Sequence, residues 1–352
     1  MLPIREDLAD LEPYVSPQQP ARYRMNTNES PYSPPESLMD EVGAALRGVA
    51  LNRYPDRDAS ALFEAISEHV GWPKDGLWVA NGFNEVFLHL FLGFGGLGRK
   101  ALVFEPTYSL HTLIPRVAST EVVQVPRDDS FVVDVDAALD AIERERPAVT
   151  ILCSPNNPTG TTEPTKAVAA IAEASEGWVV VDRAYSEFSN VKEDYRLLLE
   201  HYPNLIVTKT FSKAWRLAGI RIGYMLASPK LISELSRVKL PYHLSAITQI
   251  VGEAALRHIG ETMEVAAAIA RERERIEIGL QQMGVKMWPS DANFVLFEVG
   301  DANRVWEELL QREVLVRRYP GAPRLASCLR VTAGLPEETD TFLTALAEVL
   351  DD

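Results

Sequence analysis

The sequence predicts an α/β protein with three layers, in which helices cover both faces of a mostly parallel sheet. From about Leu77 onward, short apolar runs alternate with helical patterns, and this alternation is typical of parallel sheets covered on both faces. After Lys239 the pattern changes to long helical segments with a few short strands. The change predicts a second, smaller α+β domain after the three-layer domain.

Each strand of the large sheet is predicted from a short run rich in apolar and β-branched residues. The predicted strands are Leu77–Ala80, Ala101–Phe104, Glu121–Val125, Val149–Cys153, Trp178–Asp182 and Leu205–Lys209. Between them, Val135, Ala138, Leu139 and Ile142 have the i, i+3, i+4, i+7 spacing of a helix packed on a sheet. The second part is predicted to contain helices over 244–258 and 261–283, a strand over 294–299, a helix from Asn303, strands near Val314 and Leu329, and a terminal helix.

The chain therefore divides into three predicted segments. Residues 1–35 contain seven prolines and little periodicity, so they are expected to lie as an arm across another surface. Residues 36–245 form the predicted large domain, and residues 246–352 form the predicted small C-terminal domain.

Charge and composition exclude several classes of function. Lys plus Arg is 35 and Asp plus Glu is 50, a net charge of −15, which disfavours nucleic acid and anionic membranes as partners. The two cysteines cannot build a disulfide framework, and the N-terminus has no apolar signal-peptide core. We therefore expect a cytoplasmic protein that does not span a membrane. The six histidines are too scattered for a zinc site, so no metal is expected.

The segment Gly93-Phe94-Gly95-Gly96-Leu97-Gly98 matches the GxGxxG spacing of dinucleotide-binding loops. That fingerprint follows a strand and opens a helix, so that the helix N-terminus meets the pyrophosphate. Here the order is reversed, because a helical pattern precedes the glycines and a strand follows them. We interpret the segment as a helix C-cap and turn, and an oxidoreductase is disfavoured.

Polar residues cluster in loops that follow successive strands, at the edge where open α/β sheets bind ligands. These loops are Asn81–Glu85, Pro106–Tyr108, Ser154–Gly160, Asp182–Tyr185 and Thr210–Arg221.

The side chains of these loops suit a phosphorylated aromatic aldehyde. Gly82 opens a helix whose N-terminus attracts a phosphate, and Ser212 and Arg221 add further donors. Asp182 ends an apolar strand, so its carboxylate needs a cationic partner such as a pyridinium nitrogen. Lys213 can bond to an aldehyde. These groups together indicate pyridoxal 5′-phosphate.

Several motifs between Tyr14 and Gly334 extend this pattern. They are Asn28-Glu29-Ser30-Pro31-Tyr32, Arg53-Tyr54-Pro55-Asp56, Asn156-Asn157-Pro158-Thr159-Gly160, Ser212-Lys213-Ala214, Leu217-Ala218-Gly219-Ile220-Arg221-Ile222-Gly223-Tyr224, Ala292-Asn293-Phe294 and Leu329-Arg330-Val331-Thr332. The set resembles the fold-type I, class I/II pyridoxal-phosphate-dependent aminotransferases, and within them the branch of histidinol-phosphate aminotransferases.

The resemblance implies roles around the cofactor. Lys213 would bond to the aldehyde, Asp182 would pair with the pyridine nitrogen, and Asn157 and Tyr185 would contact the ring oxygen. The other implied cofactor contacts are Tyr108 stacked on the ring and, toward the phosphate, Gly82, Phe83, Asn84, Thr210, Ser212 and Arg221. The resemblance also implies a homodimer with shared active sites, in which Tyr54 reaches the phosphate bound by the other subunit.

For the substrates, the resemblance implies ping-pong amino transfer between an amine and a 2-oxo acid, with histidinol phosphate and 2-oxoglutarate as the expected pair. Arg330 is the expected anion anchor, and Arg317, Tyr14 and Asn28 would complete a phosphate site. An aromatic amino acid aminotransferase and a threonine-phosphate decarboxylase are the alternatives that keep the cofactor. A non-catalytic binding protein is a further alternative, which the intact Lys213 and Asp182 disfavour.

The sequence departs from the usual family residues in three places. Arg183 replaces an acidic residue, Phe83-Asn84 replaces a small residue followed by an acidic one or serine, and Ser109-Leu110-His111 replaces an aromatic-containing stretch. Because Asp182 and Tyr185 are present, the cofactor chemistry is expected to survive. The substrate pocket is expected to differ around Phe83 and His111.

Overall fold

The computed structural model describes residues 2–14, 19–191 and 195–351. Its strands are β1 (Tyr23–Arg24), β2 (Leu77–Ala80), β3 (Lys100–Glu105), β4 (Glu121–Pro126), β5 (Val149–Cys153), β6 (Trp178–Asp182), β7 (Leu205–Thr210), β8 (Gly223–Leu226), β9 (Lys286–Met287), β10 (Phe294–Glu298), β11 (Val314–Leu315), β12 (Arg317–Arg318) and β13 (Cys328–Thr332). Its α-helices are α1 (Glu36–Leu46), α2 (Ser60–Val70), α3 (Phe83–Phe94), α4 (Leu110–Val117), α5 (Val135–Glu145), α6 (Thr165–Ala174), α7 (Arg196–Leu199), α8 (Pro229–Leu235), α9 (Ala246–Arg257), α10 (Ile259–Gln282), α11 (Ala302–Gln311) and α12 (Pro336–Asp351).

A seven-stranded sheet with the order β2-β8-β7-β6-β5-β3-β4 lies at the centre of the larger part. Strands β7, β6, β5, β3 and β4 run parallel, whereas β8 is antiparallel to both of its neighbours. The predicted α/β class and mostly parallel sheet are therefore confirmed. Strand β8 is absent from the predicted strands.

The central strands are apolar throughout because both of their faces are covered. Val179 and Val181 of β6 pack in a cluster with residues of α1, α2, α5 and α6. Val180, between them, faces the opposite cluster, which contains much of α3. This alternation turns Asp182, the last residue of β6, toward the α3 side of the sheet.

Helix α3 ends at Phe94 and β3 begins at Lys100. The intervening glycines form the helix end and the turn into the strand, as predicted, and they do not open a helix. The dinucleotide interpretation is excluded by this order of elements.

The second core surrounds a four-stranded antiparallel sheet with the order β12-β13-β10-β9. Helices α10, α11 and α12 pack on this sheet around Phe294, Phe297 and Phe342. Helix α9 instead contributes Val251 and Ala254 to the cluster that also holds α1 and α2. The division of the chain at residue 246 stays a prediction.

The segment before α1 contacts both cores. The Arg5 guanidinium donates to the Val117 carbonyl oxygen at the end of α4 (3.0 Å), and β1 pairs in parallel with β11. Met25 is buried in the second core. Residues 15–18 of the predicted arm lie outside the described residues.

Within the described ranges, no helix combines the length and the apolar character needed to cross a membrane. The two cysteines, Cys153 and Cys328, are both buried and neither forms a disulfide.

Candidate active site

A pocket of about 390 Å³ opens at the carboxyl ends of β3, β5, β6 and β7, between the large sheet and the smaller sheet. Nearly all of the side chains singled out in the sequence line it: Tyr14, Asn28, Phe83, Asn84, Tyr108, Asn157, Asp182, Tyr185, Thr210, Ser212, Lys213, Arg221, Arg317 and Arg330. Gly82 adjoins the pocket beside Arg221. The fold thus brings loops from five strand ends and from the N-terminal segment to one place.

One end of the pocket is a cradle for an anion. Helix α3 begins after Gly82, whose φ of 82° favours glycine, and the first N–H groups of a helix have no intrahelical acceptor. A Cβ atom at Gly82 would also displace the Arg221 guanidinium, which lies directly against this glycine. Arg221 Nη1 also donates to Ser212 Oγ (3.2 Å), and Thr210 Oγ1 accepts from the Ser212 N–H (3.1 Å). These donors fit a phosphate group.

Lys213 lies near the middle of the pocket, with its Nζ donating to the Thr27 carbonyl oxygen (3.1 Å). Burial lowers the pKa of Lys213 from 10.5 to about 8, and the positive charges of Arg330 and Arg221 act in the same direction. A larger fraction of this amine is therefore neutral near pH 7 than for an exposed lysine. A neutral amine can attack an aldehyde or accept a proton.

Asp182 is held in place by three neighbours at the base of the pocket, where it is only 2% exposed. Its Oδ1 accepts from the Ala184 N–H (3.0 Å), and its Oδ2 lies 3.1 Å from His111 Nε2 and 3.8 Å from Cys153 Sγ. A buried carboxylate of this kind suits a protonated ring nitrogen as its ionic partner.

His111 does not line the pocket. The sequence had predicted that it would change the shape of the substrate pocket. It is fully buried behind Asp182, with its Nδ1 3.1 Å from the Thr107 hydroxyl and its ring packed against Phe87 and Tyr108. No local sequence signal indicates this contact, because His111 and Asp182 are 71 residues apart.

The ligand atoms of His111, Cys153 and Asp182 lie within 4.8 Å of one another, which invites comparison with a metal site. Burial and the nearby Asp182 charge raise the pKa of the Cys153 thiol well above its usual value. Since Asp182 Oδ2 lies within hydrogen-bonding distance of both the His111 ring and the Cys153 thiol, we interpret these three side chains as a hydrogen-bonded cluster.

Tyr185 joins the two halves of the pocket. Its hydroxyl accepts from Asn28 Nδ2 (3.0 Å) and from Asn157 Nδ2 (3.3 Å), and its ring packs edge-on against Phe294. Burial raises the pKa of Tyr185 above its ordinary value, so the phenol keeps its proton and can donate it to an oxygen in the pocket.

Two arginines from the smaller sheet form the opposite wall. Arg317 and Arg330 are directly opposite each other in the antiparallel pair of β12 and β13, so their side chains lie on the same face. Arg330 donates to Asn157 Oδ1 and to the Asn26 carbonyl oxygen (2.7 Å). The Arg317 side chain makes no hydrogen bond or ion pair with the described residues.

Tyr54 is the predicted site residue that the structure does not bring to the pocket. Its side chain is 79% exposed and stacks on Tyr242 with a ring-centroid separation of 4.5 Å. Sequence reasoning in turn missed Thr27, which contacts Lys213, and Glu105 and Tyr319, which line the pocket. Thr27 directly precedes the Asn28 motif, which was the available signal for it.

The model of the family described as aminotransferase class I and II matches residues 23–346. The histidinol-phosphate aminotransferase of Thermobifida fusca (strain YX) is 46% identical over 351 residues, covering 98% of this chain and 95% of that protein. The corresponding protein of Frankia casuarinae is also 46% identical, covering 99% and 90%. Among solved structures, the histidinol-phosphate aminotransferase from Sinorhizobium meliloti in complex with pyridoxal-5′-phosphate superposes with a TM-score of 0.90, at 26% identity and with 98% and 97% of the two chains covered.

Proposed function

The chain belongs to the aminotransferase class I and II family, and from this premise we propose that it is a pyridoxal 5′-phosphate-dependent aminotransferase acting on histidinol phosphate, with 2-oxoglutarate as amino acceptor. The reaction would be a step of histidine biosynthesis. The observation that carries the substrate assignment is the pair Arg317 and Arg330 on one face of the smaller sheet. A phosphate dianion has oxygens for two guanidinium groups, whereas a carboxylate is satisfied by one bidentate partner. Histidinol phosphate carries a phosphate and no carboxylate.

The residues of the large sheet fit the cofactor. Its phosphate would be held at the N-terminus of α3 and by Thr210, Ser212 and Arg221. Asp182 would face the ring nitrogen, and Asn157 and Tyr185 would donate to the ring oxygen. Tyr108 would stack on the ring, and Gly82, Phe83 and Asn84 would enclose the phosphate.

When bound, pyridoxal 5′-phosphate supplies an aldehyde and a conjugated ring that withdraws electrons from the substrate Cα. Lys213 would hold the cofactor until the substrate amine replaces it. The freed Nζ, whose pKa is lowered to about 8, would then take the proton from Cα. Asp182 would keep the ring nitrogen protonated throughout, and Arg317 and Arg330 would orient the substrate by its phosphate.

A visible absorption spectrum of the purified protein tests the proposal directly. Histidinol phosphate, phenylalanine and threonine phosphate are added separately to the protein with its bound cofactor. We expect histidinol phosphate to discharge the cofactor band at the lowest concentration. A preference for phenylalanine would establish the aromatic aminotransferase instead, and release of carbon dioxide from threonine phosphate would establish the decarboxylase.

Truncating either arginine should weaken selection for the phosphorylated substrate. For Arg317→Ala and Arg330→Ala, kcat/KM for histidinol phosphate is expected to fall. The fall should correspond to a loss of about 2–4 kcal/mol in transition-state stabilisation, the scale of a lost buried charged hydrogen bond. Arg317→Ala should leave the activity on phenylalanine nearly intact, because a carboxylate needs only Arg330. Steady-state kinetics of both variants with both substrates provide the measurement. Equal damage to both substrates by Arg317→Ala would contradict a phosphate-specific role.

His111 is a positioning residue for Asp182, and its replacement should have a smaller effect. His111→Phe removes the closer partner of Asp182 Oδ2. We expect kcat to fall and the cofactor Kd to rise by roughly tenfold each, since a hydrogen bond to a charged group contributes about 1.5–3 kcal/mol. Cofactor titration by fluorescence measures the Kd independently of turnover. His201→Phe, at an exposed position, is the control. Unchanged kcat and Kd in His111→Phe would show that Ala184 and Cys153 position Asp182 without His111.

We further propose that the protein is a cytoplasmic homodimer with shared active sites. Tyr54 supports this assembly, because it is an exposed aromatic residue outside its own pocket and stacks on a second exposed one, Tyr242. Leu51 and Leu240, close to them in sequence, are exposed as well (76% and 66%). Large apolar side chains grouped in this way are typical of a subunit interface.

A further inference from the structure

One wall of the pocket takes no part in the roles assigned above. It is lined by Glu105 and Thr107 at the end of β3, by Thr112 of α4, and by Ala322 and Leu325 from the segment between β12 and β13. This wall is therefore free to contact a third part of the substrate.

The wall is a built feature, because its two sides are tied together by hydrogen bonds. The Arg127 N–H donates to the Glu105 carbonyl oxygen (2.8 Å). Arg324 in turn donates from Nη1 to the Arg127 carbonyl oxygen (2.6 Å) and from Nη2 to the Asp128 carbonyl oxygen (2.8 Å). These bonds hold the segment with Ala322 and Leu325 beside the end of β3.

The Glu105 carboxyl group has one oxygen left to bind a ligand. Its Oε2 accepts from the Thr107 N–H (2.9 Å), which fixes the side chain, and its Oε1 accepts no hydrogen bond from the described residues. Burial raises the pKa of Glu105 above its usual value, while the hydrogen bond from the Thr107 N–H and the nearby His111 and Arg127 act in the opposite direction. Among the described residues that line the pocket, Glu105 and Asp182 are the two that carry a carboxyl group.

Histidinol phosphate has three groups to place in this pocket. Its amine belongs next to Lys213, and its phosphate belongs between Arg317 and Arg330, so its imidazole must lie against the remaining wall. An imidazole carries at least one N–H donor in each protonation state, and a carboxylate is an acceptor. Ala322 and Leu325 offer apolar contacts for the ring faces.

We propose that Glu105 is a specificity-determining residue whose carboxylate accepts the ring N–H of the substrate imidazole. The proposal rests on histidinol phosphate being the substrate. It explains how the enzyme would separate histidinol phosphate from a phosphorylated amine that carries a phenyl ring, which the two arginines alone cannot do.

The test compares two substrates that differ only in the ring: histidinol phosphate and 2-amino-3-phenylpropyl phosphate. In Glu105→Leu, kcat/KM for histidinol phosphate should fall roughly tenfold to hundredfold, mainly through KM, because a site built for a substrate N–H loses its acceptor. The phenyl compound should keep its activity or gain some. Glu105→Gln, whose single amide oxygen can still accept from the Thr107 N–H, should show an intermediate loss. Glu121→Gln, which removes an exposed charge from the neighbouring strand β4, is the matched control.

Structural damage and loss of recognition give different results in this comparison. If Glu105 serves only to hold the turn at Thr107, both substrates lose activity together and their ratio stays as in the wild type, which overturns the proposal. Calorimetric binding of both compounds to the Lys213→Ala protein, with and without Glu105→Leu, gives the same ratio without turnover. If the wild-type enzyme does not accept histidinol phosphate at all, the proposed function fails, and the role of Glu105 fails with it.

Discussion

Replacing Lys213 with alanine is expected to abolish transamination while the protein still binds pyridoxal 5′-phosphate non-covalently. The Nζ of Lys213 is the amine that would hold the cofactor and the base that would move the Cα proton. Loss of a positioned general base alone costs roughly 10²–10⁴-fold in rate, and the covalent role adds to that. The phosphate cradle at Gly82, Ser212 and Arg221 is untouched, so the cofactor should remain bound.

Two measurements check this expectation. Steady-state assays with histidinol phosphate and 2-oxoglutarate should show no turnover above background in Lys213→Ala. Borohydride reduction followed by mass spectrometry should attach the cofactor to Lys213 in the wild type and to no residue in the variant. Lys230→Ala, an exposed lysine of α8, controls for the loss of one positive charge. Turnover within tenfold of the wild type would rule out Lys213 as the active lysine.

The second large effect is expected for Asp182→Asn. The amide keeps the shape of the side chain but removes the negative charge that would stabilise a proton on the ring nitrogen. Without that proton the ring withdraws electrons less strongly, so kcat should fall by on the order of a hundredfold or more. The cofactor Kd should rise as well, because one electrostatic contact is lost.

The interpretation of this variant depends on a control and on an independent binding measurement. Asp140→Asn, on the exposed face of α5, removes the same charge far from the pocket and should leave both kcat and Kd unchanged. The cofactor Kd is measured by fluorescence titration of the apoprotein. An unchanged kcat for Asp182→Asn would mean that another group faces the ring nitrogen.

The sequence was most informative where one residue stands out against its local background. Asp182 ends a run of four apolar residues, and a buried strand does not accommodate a carboxylate without a partner. The strands around it were predicted closely, because their faces are both buried and their apolar runs are continuous. Gly82 and Lys213 were found for a related reason, since each lies in a polar loop directly after a strand.

Contacts that form only in the folded chain could not be predicted in this way. His111 lies on the apolar face of α4 and has the local pattern of a core histidine, so its contact with Asp182 has no local signature. Glu105 extends β3 by one residue beyond the predicted strand, and it lines the same pocket as Leu325 only because folding brings the two segments together. The role of Tyr54 stays a prediction, because it depends on a second subunit.

The bonds of Arg330 also constrain how the chain becomes active during its synthesis. Arg330 contacts Asn26 across 304 residues and Asn157 across 173 residues, and contacts that close such long loops form slowly. The segment from Met25 to Asn28 leaves the ribosome early, yet its neighbours on β13 are among the last residues translated. The pocket wall that contains Arg317 and Arg330 is therefore completed only after the large sheet can already form around Lys213. A chain that is still being synthesised would thus become able to bind the cofactor and to recognise the substrate at different times.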